Sequence, residues 1–302
     1  MEFDVVIVGA GPAGLSFARA LAPTGLSIAL VERLPEPALA DPAFDGREIA
    51  LTHRSEAILA AIGAWDRIPE VEKSELRTAH VINGPSHDRP MVFSAGGGPI
   101  TRAKGPLGHL VPNHLIRRAV YESAKERPEI TLIAGTAVSA VETGRDGARV
   151  TLADGRGEIA CRLVVAADTR FSETRRRMGI AAHMHDFGKA MMVCRMTHEL
   201  PHHHIATEWF DHGQTFAMLP LNGDMSSAVI TLPARQIERL MKLDEEAFGA
   251  EVTERYGARL GAMKLVSTRH AYPLVTVYAD RFVSERFALM GDAAVGMHPV
   301  TA

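Results

Sequence analysis

The sequence predicts an α/β fold, a doubly wound and mostly parallel sheet of Rossmann-like type that carries an inserted β-rich domain. Three observations predict it. A valine-rich run, Asp4 to Val8, passes through Gly9-Ala10-Gly11-Pro12-Ala13-Gly14 into a helical stretch and then a second apolar run, Ser27 to Val31, which is a βαβ start of ordinary length. Short β-rich runs between Ile130 and Ala167 are separated by Asp146-Gly147 and Asp154-Gly155, both strong hairpin turns. From Ala181 to about Val266 methionine and histidine become frequent and short strands alternate, which marks a separate sheet.

The elements follow in order. Asp4 to Val8 is apolar throughout, as expected of a strand covered on both faces. Pro12 sits in the first turn of the next helix, where its missing N–H costs nothing, and Pro23 and Gly25 end that helix. Leu34 to Gly46 reads as a surface loop. Ser55 is expected to cap a short helix ending near Gly63, and Asn113 a longer one running to about Arg127 before Pro128. The segment Ile130 to Ala167 is expected to be antiparallel. Strands are expected at Ala190 to Met196 and Thr215 to Leu219, one amphipathic helix near Ala234 to Tyr256, and a terminal strand at Phe287 to Met290. The domain expectation is therefore discontinuous: residues 1–75, 101–180 and 267–302 form the nucleotide-binding domain, and 76–100 with 181–266 the substrate domain.

With 302 residues, a net charge of −3 and 46% hydrophobic residues, the chain has the composition of a globular protein with room for one large or two medium domains. Its slightly acidic balance argues against a nucleic-acid partner, and Arg175-Arg176-Arg177 reads as a solvated helix face. Cys161 and Cys194 lie apart in apolar stretches and suggest neither a disulfide nor a thiolate metal site. His198 with His202-His203-His204 lacks a recognisable ligand spacing and reads as a solvated loop, so no metal is expected. The unpaired cysteines fit a reducing cytoplasm, no signal peptide is visible, and peripheral contact at the inner membrane is left open. Met192, Cys194 and Met196 alternate onto one strand face, read as sheet core before a prenyl-tail lining.

Gly9 to Gly14 has the GxGxxG form between strand and helix, where glycines allow close backbone approach and the helix N-terminus receives a pyrophosphate. Glu32 ends the following strand, placed for a ribose diol and against a 2′-phosphate, with Arg33 beside it. The pair favours FAD or NAD over NADP. Arg47, after Asp45-Gly46, is a candidate for bidentate pyrophosphate contact, the alternative being a surface salt bridge. Asp168 closes the strand Val164 to Ala167, and Gly291-Asp292 closes the terminal strand, two further carboxylates with ligand-facing geometry, the alternative for each being a turn or cap residue.

Those motifs, with Leu219-Pro220-Leu221, Tyr272-Pro273-Leu274 and the run Leu289 to Pro299, resemble the group A FAD-dependent aromatic monooxygenases of the p-hydroxybenzoate hydroxylase fold, and among them the ubiquinone-biosynthesis hydroxylases. The resemblance covers nearly the whole chain in the family's order. It implies FAD as cofactor, held by Gly9, Gly11, Pro12, Ala13, Gly14, Glu32, Arg33, Arg47, Asp168, Gly291, Asp292 and Pro299, with NAD(P)H as transient reductant. It further implies hydroxylation of a polyprenylated phenol by O2 through a flavin C4a-hydroperoxide, which names no catalytic side chain, and contact with a membrane or a ubiquinone-biosynthesis complex. A soluble-phenol hydroxylase, a prenyl reductase and a non-catalytic flavin-binding component are the alternatives. The family's middle motif usually continues Asp-Gly, whereas Asp168 is followed by Thr169. The terminal motif stops at Ala302, from which the sequence reading expects part of a longer parent, with weak FAD binding and no hydroxylation by this portion alone.

Overall fold

The computed structural model describes residues 1–84, 89–95 and 105–297. Strands and helices are numbered along the chain. The first sheet has eight strands among the described residues, with the path β18 (Val283–Ser284), β19 (Phe287–Leu289), β11 (Glu158–Ala166), β1 (Glu2–Val8), β2 (Ile28–Glu32) and β8 (Ile130–Ala134). The hairpin β9 (Val138–Gly144) and β10 (Gly147–Leu152) extends the long strand β11 on its other half. Its central pairs are parallel: β1 lies between β11 and β2, β8 follows β2, and β19 lies beside β11. Val6 and Ile7 are fully buried because both faces are covered. One face packs on α1 (Pro12–Leu21) and α4 (Asn113–Lys125), whose Leu15, Ala18, Ile116 and Val120 join Ile7 and Leu30 in one core.

The second sheet has nine strands among the described residues: β20 (Val295–Gly296), β17 (His270–Ala279), β12 (Ala182–His198), β15 (Met225–Pro233), β14 (Thr215–Pro220), β13 (Ile205–Phe210), β5 (Thr78–Asn83) and β6 (Met91–Ser94) in path order, with β16 (Met263–Leu265) on β12. A small third sheet, β3 (Glu48–Thr52), β7 (Gly108–Pro112) and β4 (Ser74–Leu76), lies between the larger two, where Leu110 of β7 packs with Ala206, Ala217 and Leu219. The short helices α2 (Glu36–Ala40), α3 (His53–Ala61) and α5 (Glu173–Arg177) border the first sheet, while α6 (Ala234–Lys242) and α7 (Glu245–Arg255) cover the outer face of the second.

Several local expectations are corrected. Ile130–Ala134 is the parallel neighbour of β2, and only the hairpin after it is antiparallel, because the turn residues lie downstream of β8. The helix expected over Ala234 to Tyr256 is two, since Leu243 is extended at φ −65 and ψ 147 and Asp244 caps the second through Ala247 N at 2.8 Å. Thr52, not Ser55, caps α3. Asn113 is the first residue of α4, and its amide is spent on Asp45 instead of on the cap. Of the arginine triplet Arg176 and Arg177 are exposed, as a solvated helix face requires, but Arg175 is buried and donates to the carbonyls of Arg170 and Ala293, both at 3.2 Å. The segment His202-His203-His204 is a loop with His203 exposed, but His198 ends β12, is buried and hydrogen-bonds Leu200 O and Ser226, while His202 reaches Leu221 O at 2.7 Å.

Candidate cofactor and substrate site

The glycine loop follows from contacts that tolerate no Cβ. Gly9 has φ +106, and a Cβ on it would stand 2.6 Å from Ala167 O; one on Gly14 would stand 1.9 Å from Gly9 O. Strand β1 can thus turn into α1 hard against the end of β11. Gly11 differs, since a Cβ there meets nothing within 4 Å. It is the N-cap of α1 without a side-chain cap, Pro12 is in the first turn, and no acid lies there, so the helix N-terminus presents free N–H groups to open space.

The first carboxylate expected at the ribose also shapes the loop. Glu32 Oε2 accepts from Ala10 N at 2.8 Å and Oε1 from Leu34 N at 2.9 Å, which ties the end of β2 to the glycine turn. Glu32 and exposed Arg33 border a cleft of about 300 Å³ at the carboxyl ends of β1, β2 and β11, together with Gly9, Val138 and Asp168. Asp168 Oδ2 accepts from Thr174 N at 3.3 Å, while its Oδ1 is buried without a partner. The Asp168-Thr169 turn holds no left-handed residue, so Thr169 is accommodated there without strain.

Gly291 comes to the same place from the far end of the chain. With φ +57, it lies where a Cβ would be 3.2 Å from Ala13 Cβ. Asp292 is exposed and accepts from Arg170 Nη2 at 3.2 Å, and Arg170 Nη1 reaches Val275 O at 3.1 Å. Arg170 and Arg175 together therefore bind the turn at 291–293 to the segment after β11. Sequence reading missed both, although their spacing from Asp168 was visible. Pro299 lies outside the described residues.

Arg47 is engaged within the protein. Its Nη2 and Nε lie 2.6 and 3.1 Å from Asp45 Oδ2, and its guanidinium stands 5.4 Å from the centre of the Tyr272 ring. Asn113 Nδ2 donates to the same oxygen at 2.8 Å, and Tyr272 OH donates to Asp45 O at 2.7 Å. Burial works to raise the Asp45 carboxyl, but the hydrogen bonds and charge of Arg47, with Asn113, hold it below the ordinary value. The salt-bridge alternative describes this conformation, and the guanidinium, about two-fifths exposed, faces solvent beside the loop. Gly46 has φ +75, and a Cβ there would meet Val193 at 2.8 Å and His270 at 2.9 Å, so this loop lies directly on the second sheet.

Behind the loop, Glu48 is buried and bound to Arg195 of β12, which is stacked 5.1 Å from the centre of Phe44. Burial raises the Glu48 carboxyl to about 7 against the opposing Arg195 charge and hydrogen bond, with Glu72 and Asp45 adding to the rise. Glu48 Oε2, His114 Nδ1 and Ser227 Oγ are buried without partners. Met192, Cys194 and Met196 point to the opposite face of the sheet, fully buried under α6 and α7. Burial pushes the Cys194 and Cys161 thiols up to about 12 and about 11. Among the described residues no helix is long and apolar enough to cross a membrane.

An FAD suits these residues: a free helix N-terminus with a glycine open above it, an unpartnered buried carboxylate oxygen at Asp168, and a second turn at Gly291 against Ala13. Comparison with known proteins agrees. Residues 2–302 match the family described as FAD binding domain. The chain is 47% identical to ubiquinone hydroxylase UbiM of Neisseria meningitidis, over 100% of this chain and 65% of that protein, and 36% identical to ubiquinone hydroxylase UbiL of Rhodospirillum rubrum, over 98% and 67%. It thus spans about two thirds of the length of these curated relatives. The OxyS anhydrotetracycline hydroxylase of Streptomyces rimosus superposes with a TM-score of 0.66 at 25% identity, over 99% of this chain and 58% of that one. PqsL of Pseudomonas aeruginosa, described as a probable FAD-dependent monooxygenase, superposes at 0.77 with 20% identity over 99% and 81%, which shows the shared fold. By the match over its whole length and by the form of its nucleotide cradle, this chain belongs to the FAD binding domain family.

Proposed function

We propose that the protein is an FAD-dependent hydroxylase of the aromatic ring of a polyprenylated phenol in ubiquinone biosynthesis, consuming NAD(P)H and O2. The observation that carries this reading is the 47% identity to a ubiquinone hydroxylase over the entire chain, which includes every element of the cradle. The flavin, when bound, supplies the activation of O2. The protein's own residues bind and orient. Gly9, Gly11, Pro12, Ala13 and Gly14 with the α1 N-terminus take the pyrophosphate; Glu32 and Arg33 take the adenosine ribose side. Asp168, Gly291 and Asp292 take the middle of the cofactor, Pro299 is a further expected contact, and Arg47 turns from Asp45 to the pyrophosphate when the cofactor enters.

In this reading residues 1–75, 101–180 and 267–302 form the cofactor domain and 76–100 with 181–266 the substrate domain, except that β17 and β20, within 267–302, pair into the second sheet. A tail of this kind resides in a membrane, and the exposed Met91, Val92 and Phe93 of edge strand β6 support peripheral contact there. The test is to supply the protein with FAD, NADH or NADPH, and candidate polyprenylphenols, and to follow products by mass spectrometry. A gain of one oxygen atom is expected. Absence of every hydroxylated product, with FAD bound, would reject the reading.

A further inference from the structure

A second, narrow slot lies between the small sheet and the inner face of the second. Its walls are apolar and built on small residues, Ala50, Ala79 and Ala206, closed by Leu110 and Leu219, and they hold the carboxyl of Glu208. Strand pairing fixes where that carboxyl stands. Val81, Glu208, Ala217, Val229, Val193 and His270 are successive register partners across β5, β13, β14, β15, β12 and β17, so their side chains share one face. The last two are the residues on which Gly46 rests. Glu208 is therefore on the face that the Arg47 loop covers, three strand spacings or roughly 14 Å from Val193.

Glu208 is half-buried, and a carboxyl facing such walls loses part of its hydration with no partner to replace it. Among the described residues no hydrogen bond or ion pair satisfies Glu208, and burial alone raises it to about 7. His80, the other titratable residue in the lining, is lowered chiefly by burial and then by the charge of Arg259, so it supplies no cation at neutral pH. A flat apolar body with one donor complements this arrangement, and a phenol is such a body.

We propose that Glu208 is a substrate-contacting residue, whose carboxylate accepts the hydrogen bond of the phenolic hydroxyl while the ring lies among Ala50, Ala79, Ala206 and Leu219. The proposal deepens the hydroxylase reading and rests on it. As the ring is attacked, the phenolic O–H bond breaks and its proton forms an O–H bond on the carboxylate. The electron pair left on oxygen raises the electron density of the ring.

The test compares 4-ethylphenol with its methyl ether, which keeps the shape and loses the donor, by calorimetric titration of the FAD-loaded protein and of Glu208→Gln and Glu208→Leu. At pH 8.5, above the raised value of the carboxyl, a hydrogen bond to a charged acceptor predicts that the wild type prefers the phenol by about 10- to 100-fold. The preference should shrink in Glu208→Gln and vanish in Glu208→Leu, which should melt no lower than the wild type. A preference unchanged in Glu208→Leu, or a wild type that does not discriminate, overturns the role of Glu208 whatever the hydroxylation assay shows. The expected preferences without any hydroxylated polyprenylphenol would overturn the wider reading and leave the phenol site standing.

Discussion

Arg195 of β12 grips Glu48 of β3 through two donors on one oxygen, Nε and Nη2 each 2.8 Å from Oε1, and so joins the small sheet to the second sheet across 147 positions of sequence. Both carboxylate oxygens are buried, and only one is satisfied. Desolvation therefore outweighs the ion pair, and the group takes up a proton near neutrality.

This fixes a pH dependence of stability. The folded carboxyl is raised from 4.5 to about 7, so the folded state holds a proton that the unfolded chain has lost. The resulting stabilisation is complete below about 4.5 and disappears as pH rises through about 7, amounting to about 3 kcal/mol. Thermal unfolding should show a midpoint falling between pH 5.5 and pH 8. Glu48→Gln should flatten the slope, leaving the part due to Glu208, which titrates in the same window. An unchanged slope in that variant would refute the assignment.

Removal of the other partner should be costly and pH-dependent. Arg195→Met leaves the Glu48 charge buried alone, and a loss of about 3–5 kcal/mol is expected in denaturant titrations at pH 8. At pH 5.5 the loss should be smaller, because the carboxyl is then neutral. Equal losses at both values would show that packing of Arg195 on Phe44, not charge, is the main contribution.

Gly11 and Gly14 should separate folding from cofactor binding. Gly11→Ala places a methyl in open space above the helix N-terminus, and should leave the melting temperature unchanged while lowering FAD affinity at least about 10-fold. Gly14→Ala drives a methyl into Gly9 O and should lower both. Fluorescence titration with FAD beside a melting curve distinguishes the two. An FAD affinity unaffected by Gly11→Ala would remove the pyrophosphate from this loop.

Glu32→Ala should weaken FAD binding and also release the glycine turn, since Ala10 N loses its acceptor, at a cost of about 1–3 kcal/mol. Glu32→Gln keeps an oxygen for Ala10 and should recover most of that stability, but not the affinity. Recovery of both would mean that the ribose does not use the carboxylate charge.

Much of the cofactor half was legible because its logic is local. Pro12 at a helix start, glycines where a Cβ would strike Ala167 or Gly9, and Glu32 at the end of β2 lie within one βαβ unit, and each states its own reason. What failed depended on partners far along the chain. Arg175 looked like one of three surface charges because nothing in its neighbourhood reveals that Ala293 O, 118 residues away, needs a donor. The break at Leu243-Asp244 had a local signal, an aspartate before two glutamates, that amphipathic periodicity on both sides obscured. Glu208 stood in an ordinary strand pattern, and only register shows that its neighbours are apolar and uncharged.

The parallel pairing of β19 with β11 sets Val164 against Phe287 and Ala166 against Leu289. As the chain leaves the ribosome, β1, β2, β8 and β11 are available early, and the second sheet can then close around its own core. Beside β11, however, the edge stays open until residue 287 has been made, and loop closure across that distance is slow. The Gly291 turn, docked on Ala13, can arrive only afterwards. The cradle is thus complete only once the chain has been made through the Gly291 turn, and until β19 arrives residues 164–166 of β11 offer an unpaired edge.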